Sequence, residues 1–120
     1  MSNIEVPSLV DLSQKYLSKK CKYEVPDSPI RGRSGHKWHF DAILKYNEKQ
    51  FGVFIRAWDR SIGVNQVRQL HKACQDTNCA GGILIGNRFS PNAEMFAENV
   101  GINLLDRIYL QRKLRSQGYI

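Results

Sequence analysis

What this chain has little of narrows it first. Its longest purely aliphatic run is Ile83-Leu84-Ile85, far short of the roughly 20 apolar residues that a membrane-spanning helix needs. Three cysteines cannot all pair within the chain, so reduced thiols are the simpler reading. The first twenty residues carry Glu5, Pro7, Asp11 and several lysines with no apolar stretch. We therefore expect no secretory signal and a cytoplasmic location. Low-complexity tracts and internal repeats are lacking. Acidic residues are scarce: 11 Asp and Glu stand against 18 Lys and Arg, a formal net charge of +7 and a pI near 9.5.

What is present reads as an ordinary globular domain. A chain of 120 residues, 42% of them hydrophobic, can fill one core but not two, so a single domain over 1–120 is expected. The basic surplus draws polyanions. Nothing looks like a basic amphipathic membrane helix, so we expect a nucleic acid as the partner and no membrane. The bland alternative is a protein that is merely basic.

Hydrophobic periodicity gives the elements. Residues 8–20 read as a helix, with Leu9, Leu12 and Tyr16 on one side. A short strand over 22–25 is followed by a loop punctuated by Pro26, Pro29, Gly32 and Gly35. Residues 36–46 alternate: His36, Trp38, Phe40, Ala42 and Leu44 against Lys37, His39, Asp41, Ile43 and Lys45. That predicts one strand. A turn at 47–49 and a strand over 50–58 complete an antiparallel hairpin. A helix from Gly63 to Thr77 follows, with Val64, Val67, Leu70 and Cys74 inward. Then come a buried strand at 83–85 and a helix with Ser90 as N-cap, Pro91 first inside and Gly101 at its end. A strand over 102–105 and a basic helix over 107–115 close the chain. A hairpin followed by two crossovers implies an α/β fold, with a mixed sheet of four to five strands flanked by helices.

The residues from Phe40 to about Leu110 resemble the restriction-endonuclease-like (PD-(D/E)XK) superfamily and, within it, the Mrr-type restriction endonuclease domain. Phe40-Asp41-Ala42 resembles the strand that holds the first metal-binding aspartate. Gly52-Val53-Phe54-Ile55-Arg56-Ala57-Trp58 falls where the family has an acid or glutamine, any residue, then lysine. Val64 to Leu70 resembles the next helix. Gly82 to Ile85, Phe89 to Ala93, Phe96 to Glu98 and Ile102 to Asp106 resemble the C-terminal half. Gly32-Arg33-Ser34-Gly35-His36 is similar to the glycine-bearing loop that leads into the aspartate strand.

Phosphodiester cleavage in this superfamily uses divalent metal held by carboxylates, and a lysine that helps the attacking water. A period of two places the acid and the lysine on one face of the strand. Here the resemblance implies Asp41 as the remaining metal ligand, Phe54 at the acid position and Arg56 at the lysine position. A phenyl ring cannot bind a hard cation, and a guanidinium is always protonated at neutral pH. We therefore expect a degenerate nuclease site in which Arg56 pairs with Asp41. No cofactor is expected; Mg²⁺ on Asp41 belongs only to the case where catalysis survives. In that case Lys72 and Gln69, on the following helix, are candidates for migrated groups, and Asp59, Glu24 or Asp27 for a second carboxylate.

Each residue has a plainer reading. Asp41 can be a strand-end residue bonded to backbone amides, and Arg56 a structural partner or a phosphate clamp. His36 and His39 point to opposite faces of a strand, so they share no metal; His39 shares a face with Asp41 and Lys37. Cys74 and Cys79 straddle a helix end with no second pair to complete a zinc site, so buried thiols are expected. Trp58 and Phe54 can stack on bases or pack in the core. Arg31, Arg33, Ser34, Lys37, His39, Arg60 and Arg68 form the expected nucleic-acid surface, contacting phosphates without reading sequence.

The function expected from the sequence is a DNA-binding protein of nuclease fold, acting on duplex or branched DNA with little sequence specificity, as a homodimer. Its rivals are an active metal-dependent endonuclease with relocated ligands and a regulatory subunit that binds protein through the old nuclease face.

Overall fold

The computed structural model describes residues 7–118. Eleven elements follow in chain order: α1 (Leu9–Leu17), β1 (Lys22–Glu24), β2 (Ile30–Arg31), β3 (Lys37–Trp38), β4 (Ala42–Tyr46), β5 (Lys49–Arg56), α2 (Val64–Asp76), β6 (Gly81–Gly86), α3 (Pro91–Val100), β7 (Ile102–Asp106) and α4 (Arg107–Ser116). The expected α/β class holds. Five strands form one mixed sheet in the order β1-β4-β5-β6-β7. The β1/β4 and β4/β5 pairs are antiparallel, and the β5/β6 and β6/β7 pairs are parallel. Crossovers through α2 and α3 account for the parallel half.

Each face of the sheet is covered. Phe54, Leu84 and Ile43 point to the side where Val67, Leu70 and Ala73 of α2 and Ala93 and Ala97 of α3 pack. Val53, Ile55, Ile85, Ala42 and Leu44 point to the other, against Leu9, Leu12, Leu110 and Leu114 of α1 and α4. Alternation along each strand therefore sorts side chains between two apolar layers rather than between core and water. The β4–β5 turn uses Asn47 (φ 50°) and Glu48 (φ 66°), two successive left-handed residues as a type I′ hairpin requires. Among the described residues, no helix is long and apolar enough to cross a membrane.

The strand expected over 36–46 is broken. Only Lys37–Trp38 and Ala42–Tyr46 are strand, and they belong to different sheets, β3 pairing with β2. Phe40 packs on the α2 side and Ala42 on the α1 side, which an unbroken two-residue period forbids. The chain crosses between layers at Asp41, so His39 and Lys37 are not placed beside Asp41 by a shared strand face. Two ends also differ. α1 stops at Leu17, leaving Lys19 and Lys20 outside it, and β5 stops at Arg56, leaving Trp58 in the following loop.

Phe40 reaches its side of the sheet because Gly52 lacks a side chain. A Cβ at Gly52 would stand 2.3 Å from Phe40 Cε1 and 3.1 Å from Cys74 Sγ. Both neighbours are buried and cannot withdraw into solvent. Gly52→Ala should therefore lower stability by about 1–3 kcal/mol, the usual cost of overpacking. Urea denaturation measures this, and an unchanged midpoint would mean that the Phe40 ring is free to move.

Candidate functional site

β4 and β5 run antiparallel with Ala42 opposite Val53, so Asp41 lies beside the C-terminal end of β5. Its amide donates to Val53 O at 2.9 Å. Its Oδ2 accepts from Ile55 N at 2.7 Å, taking the place of a backbone carbonyl in the ladder. The same oxygen accepts from Arg56 Nη1 at 3.0 Å.

Three neighbours hold the Arg56 guanidinium. Nε donates to Gln66 Oε1 at 3.0 Å, Nη1 meets Asp41, and the central carbon lies 4.4 Å from the centroid of the Phe54 ring. Phe54 is 3% exposed and belongs to the core. Arg56 and Asp41 side chains are 21% and 41% exposed. A unit charge pair at about 4 Å and an effective dielectric near 20 gives about 4 kcal/mol. Solvent exposure on the Asp41 side reduces the net value to about 1 kcal/mol.

Gln66 was not among the residues expected from sequence. It stands in the first turn of α2, which returns antiparallel to β5 and so begins over the strand's C-terminal end. Gln69 and Lys72 lie further along that helix by about 4 and 9 Å at 1.5 Å per residue. Both are exposed, and among the described residues neither bonds to Asp41.

A cleft of about 430 Å³ opens beside the pair and shares Gln66 with it. Trp58, Arg60, Ser61, Asn65 and Asn92 also line it. The Arg60 guanidinium lies 4.5 Å from the Trp58 ring centroid, and Asn87 Nδ2 fixes Trp58 O at 2.8 Å. Arg107 Nε in turn donates to Asn87 Oδ1 at 2.8 Å. Gly63 caps α2 without a side-chain hydrogen bond, which leaves first-turn N–H groups at the cleft. Arg68, one turn on, bonds Asn65 Oδ1 at 3.4 Å and lies over the Phe96 ring. This end of the sheet gathers cations and backbone donors suited to an anion.

The loop residues sit elsewhere. Arg33 N donates to Asp76 O at 2.9 Å and its Nη2 to Gln75 O at 3.1 Å. Ser34 donates to the Asp76 carboxylate twice, from N (2.9 Å) and from Oγ (2.7 Å). Trp38 Nε1 adds a third bond at 2.8 Å. A Cβ at Gly32 would collide with Asp76 Oδ2, so only glycine permits this approach. The loop is thus docked on the C-terminal end of α2, while the Asp41–Arg56 pair meets its N-terminal end. Arg31 and Lys37 are exposed beside the docked loop, and His39 is exposed on the link to Asp41.

Asp76 also escaped the sequence reading, although one signal pointed to it. A carboxylate in the last turn of a helix opposes the helix dipole, so it needs partners from elsewhere. The bonds from Trp38 and Ser34 hold its carboxyl below the usual value. A depressed carboxyl contributes stability above its unfolded-state pKa, and that contribution is lost as pH falls through the folded value. Wild type should exceed Asp76→Ala in stability at neutral pH, with the two converging below about pH 4. Parallel urea curves from pH 7 to pH 3 check this; a constant gap would mean that the carboxylate charge is irrelevant.

The comparisons agree with this architecture. The crystal structure of AF1548, a protein of unknown function, superposes with a TM-score of 0.75 at 14% identity, covering 92% of this chain and 65% of that one. The DNA modification-dependent restriction endonuclease AspBHI gives a TM-score of 0.66 at 16% identity, covering 91% of this chain and 30% of that one. The chain thus spans just under two thirds of the first neighbour and under a third of the second. At such identities the likeness carries the fold alone. No curated protein sequence matches the chain. The family model for the restriction endonuclease domain Mrr_cat matches residues 8–114, from the N-cap of α1 into α4, and on that match this chain belongs to the Mrr_cat restriction endonuclease family.

Proposed function

We propose that this chain binds DNA through a nuclease fold whose metal centre has been replaced by an arginine–aspartate pair. The observation that carries the reading is the Arg56 guanidinium, 3.0 Å from Asp41 Oδ2 and held from behind by Gln66. A divalent cation of the kind this chemistry uses takes oxygen ligands. Around Asp41 stand a phenyl ring and a permanent cation. Among the described residues, no group of three or more His, Cys, Asp or Glu could hold a metal ion. This donor set does not fit a divalent cation, and we derive no hydrolytic step through one.

What the face retains is affinity for phosphate. Arg60 and the open first turn of α2 border the cleft, Arg68 is bonded to Asn65 of its lining, and Arg31 and Lys37 lie toward the helix's other end. Cations and backbone amides position a duplex without reading bases, so little sequence preference follows. A homodimer would give each strand of a duplex its own copy of this face.

Incubation with supercoiled plasmid and Mg²⁺ or Mn²⁺ tests the reading, beside gel retardation of plain and base-modified duplexes. Retarded duplex with intact plasmid is expected. Cleavage abolished by Asp41→Ala would overturn the degenerate site, and absence of retardation at low salt would overturn DNA binding.

A further inference from the structure

Cys74 and Cys79 meet at the C-terminus of α2 in a specific relation. Asn78 adopts a left-handed conformation (φ 60°), and Cys79 N donates to Cys74 O at 2.8 Å. This is the six-to-one hydrogen bond of a Schellman ending, in which the residue after the left-handed one packs on the residue five before it. In most helices that contact is between apolar side chains. Here both partners are thiols. The 2.8 Å bond from Cys79 N to Cys74 O holds the two backbones together, as a disulfide requires of the residues it joins.

We propose that Cys79 and Cys74 form a peroxide-reactive dithiol, a modification site that closes to an intramolecular disulfide. The two sulfurs are not equivalent. Cys79 is partly exposed, with the Thr77 hydroxyl 3.4 Å from its sulfur. Cys74 is buried; its Sγ donates to Gly81 O at 3.4 Å, and it fills the space above Gly82, where a Cβ would stand 2.9 Å from it. The Cys74 thiol and Thr77 outweigh burial and bring the Cys79 thiol down to about 6. Cys79 and burial push the Cys74 thiol up. Cys79 is therefore the attacking sulfur and Cys74 the resolving one.

The steps balance with a hydroperoxide as the oxidant. The Cys79 thiolate attacks the distal peroxide oxygen, the O–O bond breaks, and the alcohol or water leaves with a proton, giving Cys79 sulfenic acid. With the thiolate charge gone, Cys74 is no longer held protonated by its neighbour. Its sulfur attacks the sulfenic sulfur, the S–O bond breaks, and hydroxide leaves as water with the Cys74 proton. Two electrons pass from the thiols to the peroxide.

Hydrogen peroxide at neutral pH on the whole chain, followed by alkylation and peptide mapping, tests this. The expected product is about 2 Da lighter, links Cys74 to Cys79, leaves Cys21 alkylatable, and reverts with dithiothreitol. Cys74→Ala should trap Cys79 sulfenic acid as a dimedone adduct, and Cys79→Ala should slow thiol loss by about tenfold or more. First oxidation at Cys21, or free Cys74 and Cys79 after excess peroxide, would overturn the proposal. The wild-type map decides even if the Cys74 variant fails to fold.

Discussion

Duplex binding should weaken by about 10²–10³-fold when salt rises from about 50 to about 200 mM. The magnitude follows from counting cations free to meet phosphate. Arg56 is excluded because Asp41 neutralises it. Arg31, Arg33, Lys37, Arg60 and Arg68 remain. Each phosphate neutralised adds about −0.9 to the slope of log K against log salt. Five contacts give a slope of about −4.5, and a fourfold change in salt then gives a few hundredfold. The cations sit at two ends of α2, whose 13 residues span about 20 Å. Arg60→Glu with Arg68→Glu should reduce the slope by about two, equally for every sequence. Arg31→Glu with Lys37→Glu should do the same only if the duplex reaches both ends of the helix. Arg33 is a poor probe because its bonds to Gln75 and Asp76 dock the loop, so reversing it disturbs structure as well as charge. Affinity indifferent to salt, measured by fluorescence anisotropy, would favour a protein partner instead.

The architecture was legible where periodicity and local chemistry agree. Ser90, Pro91 and Gly101 bound a helix in sequence, and in the structure Ser90 Oγ accepts from Ala93 N while Gly101 takes φ 75°. The pairing of Arg56 with Asp41 was readable because hairpin register and the two-residue period bring both to one strand end. Tertiary events left weaker marks. The alternation from His36 to Leu44 runs unbroken in sequence, yet the chain changes layers at Asp41. Nothing local marks that change, because its causes lie elsewhere: Gly52 admits Phe40, and Asp76 captures Ser34 and Trp38. Gln66 escaped notice for a different reason. Its partner is ten residues back, and the helix carries a second glutamine, Gln69, that reads equally well until the crossover geometry is known. Asp76 left a signal, its conflict with the helix dipole, which composition and motif reading passed over.

Phe54→Glu, which puts an acid where the resemblance leads one to expect it, should cost about 3–5 kcal/mol and confer no metal binding. The Phe54 ring is buried at 3% exposure. Its centroid is 5.7 Å from that of Phe40, and it packs in the layer formed with α2 and α3. Removing a buried phenyl ring costs about 3–5 kcal/mol through lost transfer energy and the cavity left behind. Desolvating the new carboxylate adds to this. The Arg56 guanidinium, 4.4 Å from the ring centroid, would offset part of it by pairing with Glu at 54. That same pairing defeats metal binding, since the new acid would share the arginine with Asp41 and no free pair of carboxylates would face a cation. Urea denaturation gives the stability loss, and thermal unfolding with and without Mn²⁺ gives the metal response, because a ion bound only to the folded state raises the midpoint. A variant that loses under about 1 kcal/mol, or that Mn²⁺ stabilises, would mean that position 54 is not embedded in the core as described. On the expected result, packing keeps a carboxylate out of position 54: the phenyl ring is part of the core, and the Arg56 guanidinium beside it claims any acid placed there.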